Sequence, residues 1–166
     1  MNKPKYENNH TKICIVNTLF KLLDKYDYSL IDVRFLCKET PVGRTSFYRY
    51  FKSIDDVILF SFIQTWNDWC DHYKISKNEG FSYNQVLSFF ECVYSIKERL
   101  SLVYKNNLEH VFLLAYENML INKTNYTYKT RFYAYGLFSL LKEWWLRDFK
   151  ETPKEIADIT YTFIDN

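Results

Sequence analysis

Glycine and proline are scarce in this chain, with three of each in 166 residues. That is too little punctuation for many short, turn-bounded strands, and it favours long helices. Cysteine is sparse and scattered. Cys14, Cys37, Cys70 and Cys92 lack the close pairs of a zinc site, and each has apolar neighbours. They are therefore expected as reduced, buried thiols of a cytoplasmic protein. No run approaches the roughly 18 apolar residues that cross a membrane, and the polar stretch from Met1 to Lys12 holds no apolar core of a secretory signal. His72 and His110 stand alone, without ligand spacing around them, so no metal is expected. A glycine-rich phosphate loop, a G-x-S-x-G elbow and an H-E-x-x-H helix are all missing. Neither an enzyme nor a bound cofactor is expected.

A strong charge of one sign is also lacking, since the net charge is only +2. Its distribution is uneven. Met1 to Ser53 carries ten Lys and Arg against five Asp and Glu, and the remainder carries twelve against fifteen. A basic first third on a slightly acidic body is the footprint of a nucleic-acid reader joined to a second domain; chance clustering is the plain alternative. Aromatics are abundant, with 15 Tyr, 14 Phe and four Trp. That exceeds what a core of this size needs, so some should line a cavity or an interface.

Helical periodicity starts at about Thr11, a candidate N-cap, and runs to Tyr26 with Ile13, Val16, Phe20 and Leu23 on one stripe. A short segment follows from Ile31 to Glu39, with Val33, Leu36 and Cys37 on one face. Thr40-Pro41-Val42-Gly43 reads as a turn, and Arg44 to Tyr50 as a second short helix. Ser53, with Asp55 and Asp56 behind it, starts a long helix. Its stripe is Ile58, Phe62, Trp66, Trp69 and Tyr73, and Asn78-Glu79-Gly80 should end it. Ser82 caps a helix to about Ile96; others are expected over Lys97–Tyr104 and Asn106–Ile121. Asn122 to Thr127 reads as a loop, Tyr128 to Phe149 as a long helix, and Thr152-Pro153 with Glu155 as the start of the last one. The expected fold is all-α, about nine helices, divided at 1–53 and 54–166.

Two short helices joined by a tight turn, with a longer helix before them, form a helix-turn-helix. At about 100° per residue, Phe47 and Phe51 point inward together. Thr45, Ser46 and Arg49 then point outward, with Tyr48 on the flank. Hydroxyls, a guanidinium and a phenol suit base edges and phosphates; a solvated face of an ordinary bundle would read the same by spacing alone. The run from Thr40 to Ser53, TPVGRTSFYRYFKS, resembles the signature of the TetR family of bacterial repressors, and Tyr28-Ser29 and Leu36-Cys37 fall in register with it. Gly136-Leu137, Leu140 to Trp144 and Pro153-x-Glu155-Ile156 are similar to a branch that includes regulator-like proteins of dihydroxyacetone kinase operons. The resemblance implies a homodimeric repressor that reads a palindromic double-stranded DNA operator and is released by a small-molecule effector. It implies a DNA-facing set of Ser29, Arg44, Thr45, Ser46, Tyr48, Arg49, Tyr50 and Lys52. Three departures stand out. Thr40-Pro41 replaces the usual Ala-Gly, Gly43 replaces a serine cap, and Ile54 replaces a lysine that resembles a phosphate contact. A degenerate relative that binds a protein partner and a small molecule, without DNA, is the alternative they raise.

In the Tyr128–Phe149 helix, Phe132, Gly136, Ser139, Leu140 and Leu146 share one side, and Ala134, Leu137, Leu141, Trp144 and Trp145 the other. A helix apolar on both sides is sandwiched between neighbours. The resemblance implies dimerisation through the last two helices, at Phe132, Gly136, Ser139, Leu140, Glu143, Ile156, Ile159 and Phe163; packing within one chain is the alternative. Trp66, Trp69, Tyr73, Phe89, Phe90, Tyr94, Phe112 and Tyr116 are candidates for an effector pocket, although such a stripe also serves as plain core.

Overall fold

The computed structural model describes residues 5–75, 81–121 and 127–164. Among these residues there are nine α-helices and no strand: α1 (Lys5–Lys25), α2 (Val33–Lys38), α3 (Arg44–Phe47), α4 (Ile54–Tyr73), α5 (Tyr83–Ser95), α6 (Lys97–Lys105), α7 (Glu109–Tyr116), α8 (Tyr128–Leu146) and α9 (Pro153–Tyr161). A 3-10 turn, Tyr28–Leu30, links α1 to α2, and a π-helical turn, Glu117–Ile121, extends α7. The expected loop at 122–126 and the expected terminator Asn78-Glu79-Gly80 lie outside the described residues. No described helix is long and apolar enough to cross a membrane.

Polar residues at the helix starts fix the boundaries. The Asp32 carboxylate accepts from Phe35 N–H at 2.6 Å, Ser82 from Gln85 N–H at 3.4 Å and Thr127 from Thr130 N–H at 3.2 Å. Ser53 accepts from Asp56 N–H at 3.1 Å while the Asp56 carboxylate accepts from Lys52 N–H at 2.9 Å, so two donors at the start of α4 are satisfied. At α9 the capping box is complete: Thr152 accepts from Glu155 N–H at 3.2 Å and Glu155 from Thr152 N–H at 2.7 Å. Each such cap contributes about 1 kcal/mol. Thr11 is not one of them. No Gly or Pro interrupts the chain between Lys5 and Lys25, and α1 runs back through Thr11 to Lys5.

Helix ends were harder to place from sequence. α4 stops at Tyr73 because Lys74 turns left-handed (φ 55°) and Ile75 N–H closes back on the Cys70 carbonyl at 2.9 Å. α8 stops at Leu146, not Phe149. Asp148 N–H bonds to the Trp145 carbonyl and Phe149 N–H to that of Trp144, each at 2.9 Å, and the Phe149 ring packs on Trp144 with centroids 4.9 Å apart. This is a Schellman ending with its apolar clasp, built without glycine.

One apolar core runs the length of the molecule. α1 buries Ile15, Val16, Leu19, Phe20, Leu22 and Leu23; Ile13, expected on that stripe, is 45% exposed. Phe20 meets Phe62 at 6.1 Å and Phe51 meets Phe60 at 5.4 Å, joining the N-terminal helices to α4. α4 packs on α7 and α5, and α5 on α9. Trp144 is fully buried, its indole N–H bonded to the Glu151 carbonyl at 2.9 Å. Truncating such a residue to Ala costs roughly 3–5 kcal/mol. Cys70 and Cys92 are buried as expected, and burial pushes the Cys92 thiol up to about 12, which keeps it protonated. Cys14 and Cys37, expected buried, are only half-buried.

Candidate nucleic-acid interface

α2 and α3 meet through the turn Thr40–Gly43. The Thr40 hydroxyl pairs with both Val42 N–H and the Val42 carbonyl at 3.3 Å. Gly43 is extended (φ −70°, ψ 156°), and no residue of the turn has a positive φ. Pro41 is therefore compatible with this turn, whose geometry uses no left-handed residue. Gly43 makes no side-chain cap, and a Cβ built on it meets nothing within 4 Å.

The second helix is shorter than its pattern implied. Regular helix ends at Phe47, whose carbonyl then accepts from Tyr50 N–H at 2.9 Å and Phe51 N–H at 3.0 Å. This tight closure still points the side chains as expected. Phe47 and Phe51 are buried with their rings 5.8 Å apart. Arg44, Thr45, Arg49 and Lys52 are exposed, Tyr48 is 59% exposed, and Ser46 and Tyr50 are half-buried. Ser29 is exposed on the 3-10 turn. The Lys12 ammonium lies 4.8 Å from the Phe60 ring centre and 6.0 Å from that of Tyr50, beside this face. Sequence spacing did not single it out.

From Asp27 to Asp56 there are five cations (Arg34, Lys38, Arg44, Arg49, Lys52) and five carboxylates (Asp27, Asp32, Glu39, Asp55, Asp56). Within the first third, the residues before Asp27 carry five lysines against Glu7 and Asp24, and residues 27–53 keep five cations against three carboxylates; Asp55 and Asp56 at the start of α4 offset that second excess. Three of the carboxylates are tied locally: Asp32 and Asp56 at helix starts, and Asp55 to the Tyr28 phenol. Burial, then the bond to Asp55, raises the Tyr28 phenol well above its usual range, so it stays a donor. Asp32 was missed as a site residue, although an aspartate just before an apolar helical run is an N-cap signal.

Ile54 is not an exposed position awaiting a phosphate contact. It is 6% exposed, the first residue of α4, and its side chain belongs to the core. A lysine there would carry an ammonium toward apolar neighbours, so Ile54→Lys is not a clean gain of a DNA contact.

On the opposite end of the chain, α8 divides as its two-sided pattern suggested. Ala134, Leu137, Leu141 and Trp144 are buried, and Trp145 half-buried. Phe132 is 75% exposed; Gly136, Ser139, Glu143 and Leu146 are exposed and Leu140 half-exposed. Ile159 and Phe163 of the last segment are exposed as well, Phe163 by 63%. Between them lies an open apolar groove of about 360 Å³, floored by Gly136, Ser139 and Leu140 and walled by Phe132, Tyr133 and Phe163. Ile156 departs from the expected surface set: it turns inward and is buried in its own chain's core. Its neighbour Ala157 is buried too, and the inward stripe of α9 continues through Thr160.

The aromatic candidates for an effector pocket sit largely against one another. Trp66 meets Phe89 at 5.8 Å, Phe89 meets Phe90 at 5.7 Å and Tyr116 at 5.6 Å, and all four are buried with Phe112. The Tyr116 hydroxyl donates to the Ala134 carbonyl at 2.5 Å. Trp69 is half-buried and donates to the Ser88 hydroxyl at 2.8 Å. Tyr73 and Tyr94 reach the surface.

Residues 77–166 match the C-terminal region of transcriptional regulators of the TetR type. No curated protein matches the chain by sequence. In three dimensions the chain is similar to the fatty acid degradation regulator FadR from Bacillus halodurans. The two superpose with a TM-score of 0.55 over 99% of this chain and 96% of that one, at 15% sequence identity. At that identity the likeness is one of fold.

Proposed function

The chain belongs to the TetR-type transcriptional regulators, the family of that C-terminal region, and from this premise we propose that it is a DNA-binding repressor, cytoplasmic and without enzymatic activity. It reads a palindromic operator as a homodimer and is released by a small-molecule effector. Residues 1–53 form the reading unit, and 54–166 the effector-binding and dimerising body. The observation that carries the reading is the division of the second helix and its turn: two phenylalanines seated in the core, with Thr45, Tyr48 and Arg49 held out to solvent.

A two-fold reader places two such helices about one DNA turn apart, so dimerisation is part of the same proposal. The unpartnered apolar face of α8 with Ile159 and Phe163 supports it. An effector would enter by opening the aromatic cluster around Trp66, Phe89, Phe112 and Tyr116. Kinship with the regulators of dihydroxyacetone kinase operons is the finer assignment we favour, on the motifs around Leu140–Trp144 and Pro153–Ile156.

The carboxylates Asp55 and Asp56, which offset the small basic excess of the helix-turn-helix, and the core position of Ile54 favour one second reading, a coactivator that keeps the fold without using DNA. A mutant series separates the two. Tyr48→Phe should weaken binding to all DNA sequences alike, because a flanking phenol contacts the backbone. Thr45→Ala should relax base preference by roughly 1–3 kcal/mol. Arg49→Ala should lower affinity and flatten the salt dependence by about one unit. If none of the three changes DNA binding, the exposed face is not the reader.

A further inference from the structure

Asn106 is a polar residue at the junction of α6 and α7, far in sequence from the helix-turn-helix, yet it is bonded to it. Its Oδ1 accepts from Tyr28 N–H at 2.9 Å, and its Nδ2 donates to the Leu23 carbonyl at 3.3 Å and the Leu102 carbonyl at 2.9 Å. Leu23 lies in the last turn of α1, where carbonyls lack helical partners, and Tyr28 opens the 3-10 turn, where the N–H lacks one. One planar amide satisfies an orphan acceptor and an orphan donor together, which a carboxylate or an alkyl chain cannot do.

The amide is held firmly. Asn107 is left-handed (φ 57°); Asn107 N–H bonds to the Tyr104 carbonyl and Leu108 N–H to that of Val103, each at 2.9 Å. That Schellman ending anchors Asn106 at the tip of α6. Two turns back on α6, Arg99 bonds Asn17 at 3.3 Å and lies 5.2 Å from the Phe20 ring centre, so the helix touches α1 at both ends. Tyr28 is gripped from the other side as well, by its phenol on Asp55 at the start of α4. The residue after Tyr28 is the exposed Ser29. Two residues before α4 stands the exposed Lys52.

We propose that Asn106 is a positioning residue for DNA recognition. It fixes the Tyr28–Leu30 turn, and through the Tyr28–Asp55 bond the start of α4, so the C-terminal body sets the placement of Ser29 and Lys52 on the two flanks of the reading surface. This rests on the DNA-binding reading above and adds to it the residue through which the body acts on the reader.

The test uses the full chain and a duplex selected by it from a random DNA pool. Asn106→Leu, Asn106→Asp, Tyr28→Phe and the Asn106→Leu/Tyr28→Phe double variant are compared at a temperature where circular dichroism shows each fully folded. Asn106→Asp keeps the acceptor for Tyr28 N–H and loses the donors. The expected result is a loss of DNA affinity of about tenfold for Asn106→Leu, with the oligomeric state unchanged. Asn106→Asp should lose less. The double variant should lose less than the product of the single losses, because both act on the same turn. A merely structural asparagine gives folded variants with lower melting temperatures and parental affinity, and that outcome overturns the proposal. Independent, multiplicative losses also overturn it. If the parent selects no DNA, the DNA-binding reading itself fails, and the positioning role fails with it.

Discussion

Gly136→Trp separates the stability of one chain from the association of two. Gly136 lies in the middle of α8 on its exposed side, and a Cβ built there meets nothing within 4 Å. Within one chain a tryptophan has room. Replacing a mid-helix glycine also gains helix propensity, on the order of 0.5 kcal/mol. The monomer should therefore melt at the parental temperature or slightly above. In a dimer closed across this groove, the indole would occupy the space in which the partner's helix approaches. Overpacking costs roughly 1–3 kcal/mol per site, and a two-fold interface contains the site twice. The dimer should weaken by roughly 2–6 kcal/mol, about 30-fold to more than 10⁴-fold in Kd. Light scattering across a concentration series, with a melt of the same samples, reads both terms. A parent that is monomeric at tens of micromolar refutes the dimer. A variant that dimerises like the parent refutes this location for it, and a variant that fails to fold refutes the claim that the face is open.

Three further outcomes follow from local geometry. Asp32→Ser keeps an N-cap acceptor for Phe35 N–H while removing an exposed carboxylate near Ser29, so it should leave the melting temperature within about 1 kcal/mol of parental stability and tighten DNA binding at low salt, as read by fluorescence anisotropy; unchanged affinity would show that Asp32 faces away from DNA. Gly43→Ser should stabilise the fold by about 0.5–1 kcal/mol in urea titration, since its extended backbone accepts a side chain and gains a cap; destabilisation would mean that the turn needs glycine. The Thr152 backbone N–H, then its hydroxyl, hold the Glu155 carboxyl below its usual range, with the first bond the larger effect. A depressed folded-state value gives stability that is present above the unfolded value and lost as pH falls through the folded one. Melting of the parent should therefore drop on acidification below the ordinary glutamate range more steeply than that of Glu155→Gln, and parallel curves would contradict the capping box.

Sequence made the interior of this molecule readable and its joints much less so. The inward pair Phe47 and Phe51, the two-sided α8 and the capping box at Thr152 follow from spacing and from residue chemistry at helix starts, which are local. The helix ends set by left-handed Lys74 and Asp148 carry no glycine or asparagine to mark them, and Asn107 is a weaker mark than glycine. Ile156 was assigned to the dimer surface by the family resemblance, and a resemblance at that level cannot say which apolar residue of the last helix faces its own chain. Ile54 was aligned to a lysine by its position in a motif, and only its packing shows that it belongs to the core. The bond from Asn106 to Tyr28 spans 78 positions, beyond the reach of periodicity.

The face bearing Thr45, Tyr48 and Arg49 is proposed to read DNA. Selection from a random duplex pool by the intact chain at low salt, with affinity of the enriched sequence then measured across salt concentration, tests it most directly. The prediction is a palindromic sequence bound by two chains, with affinity that falls as salt rises and a shallow slope that reflects the small basic excess of the helix-turn-helix. No enrichment at low salt, from a chain shown to be folded, would contradict it and leave the coactivator as the better reading.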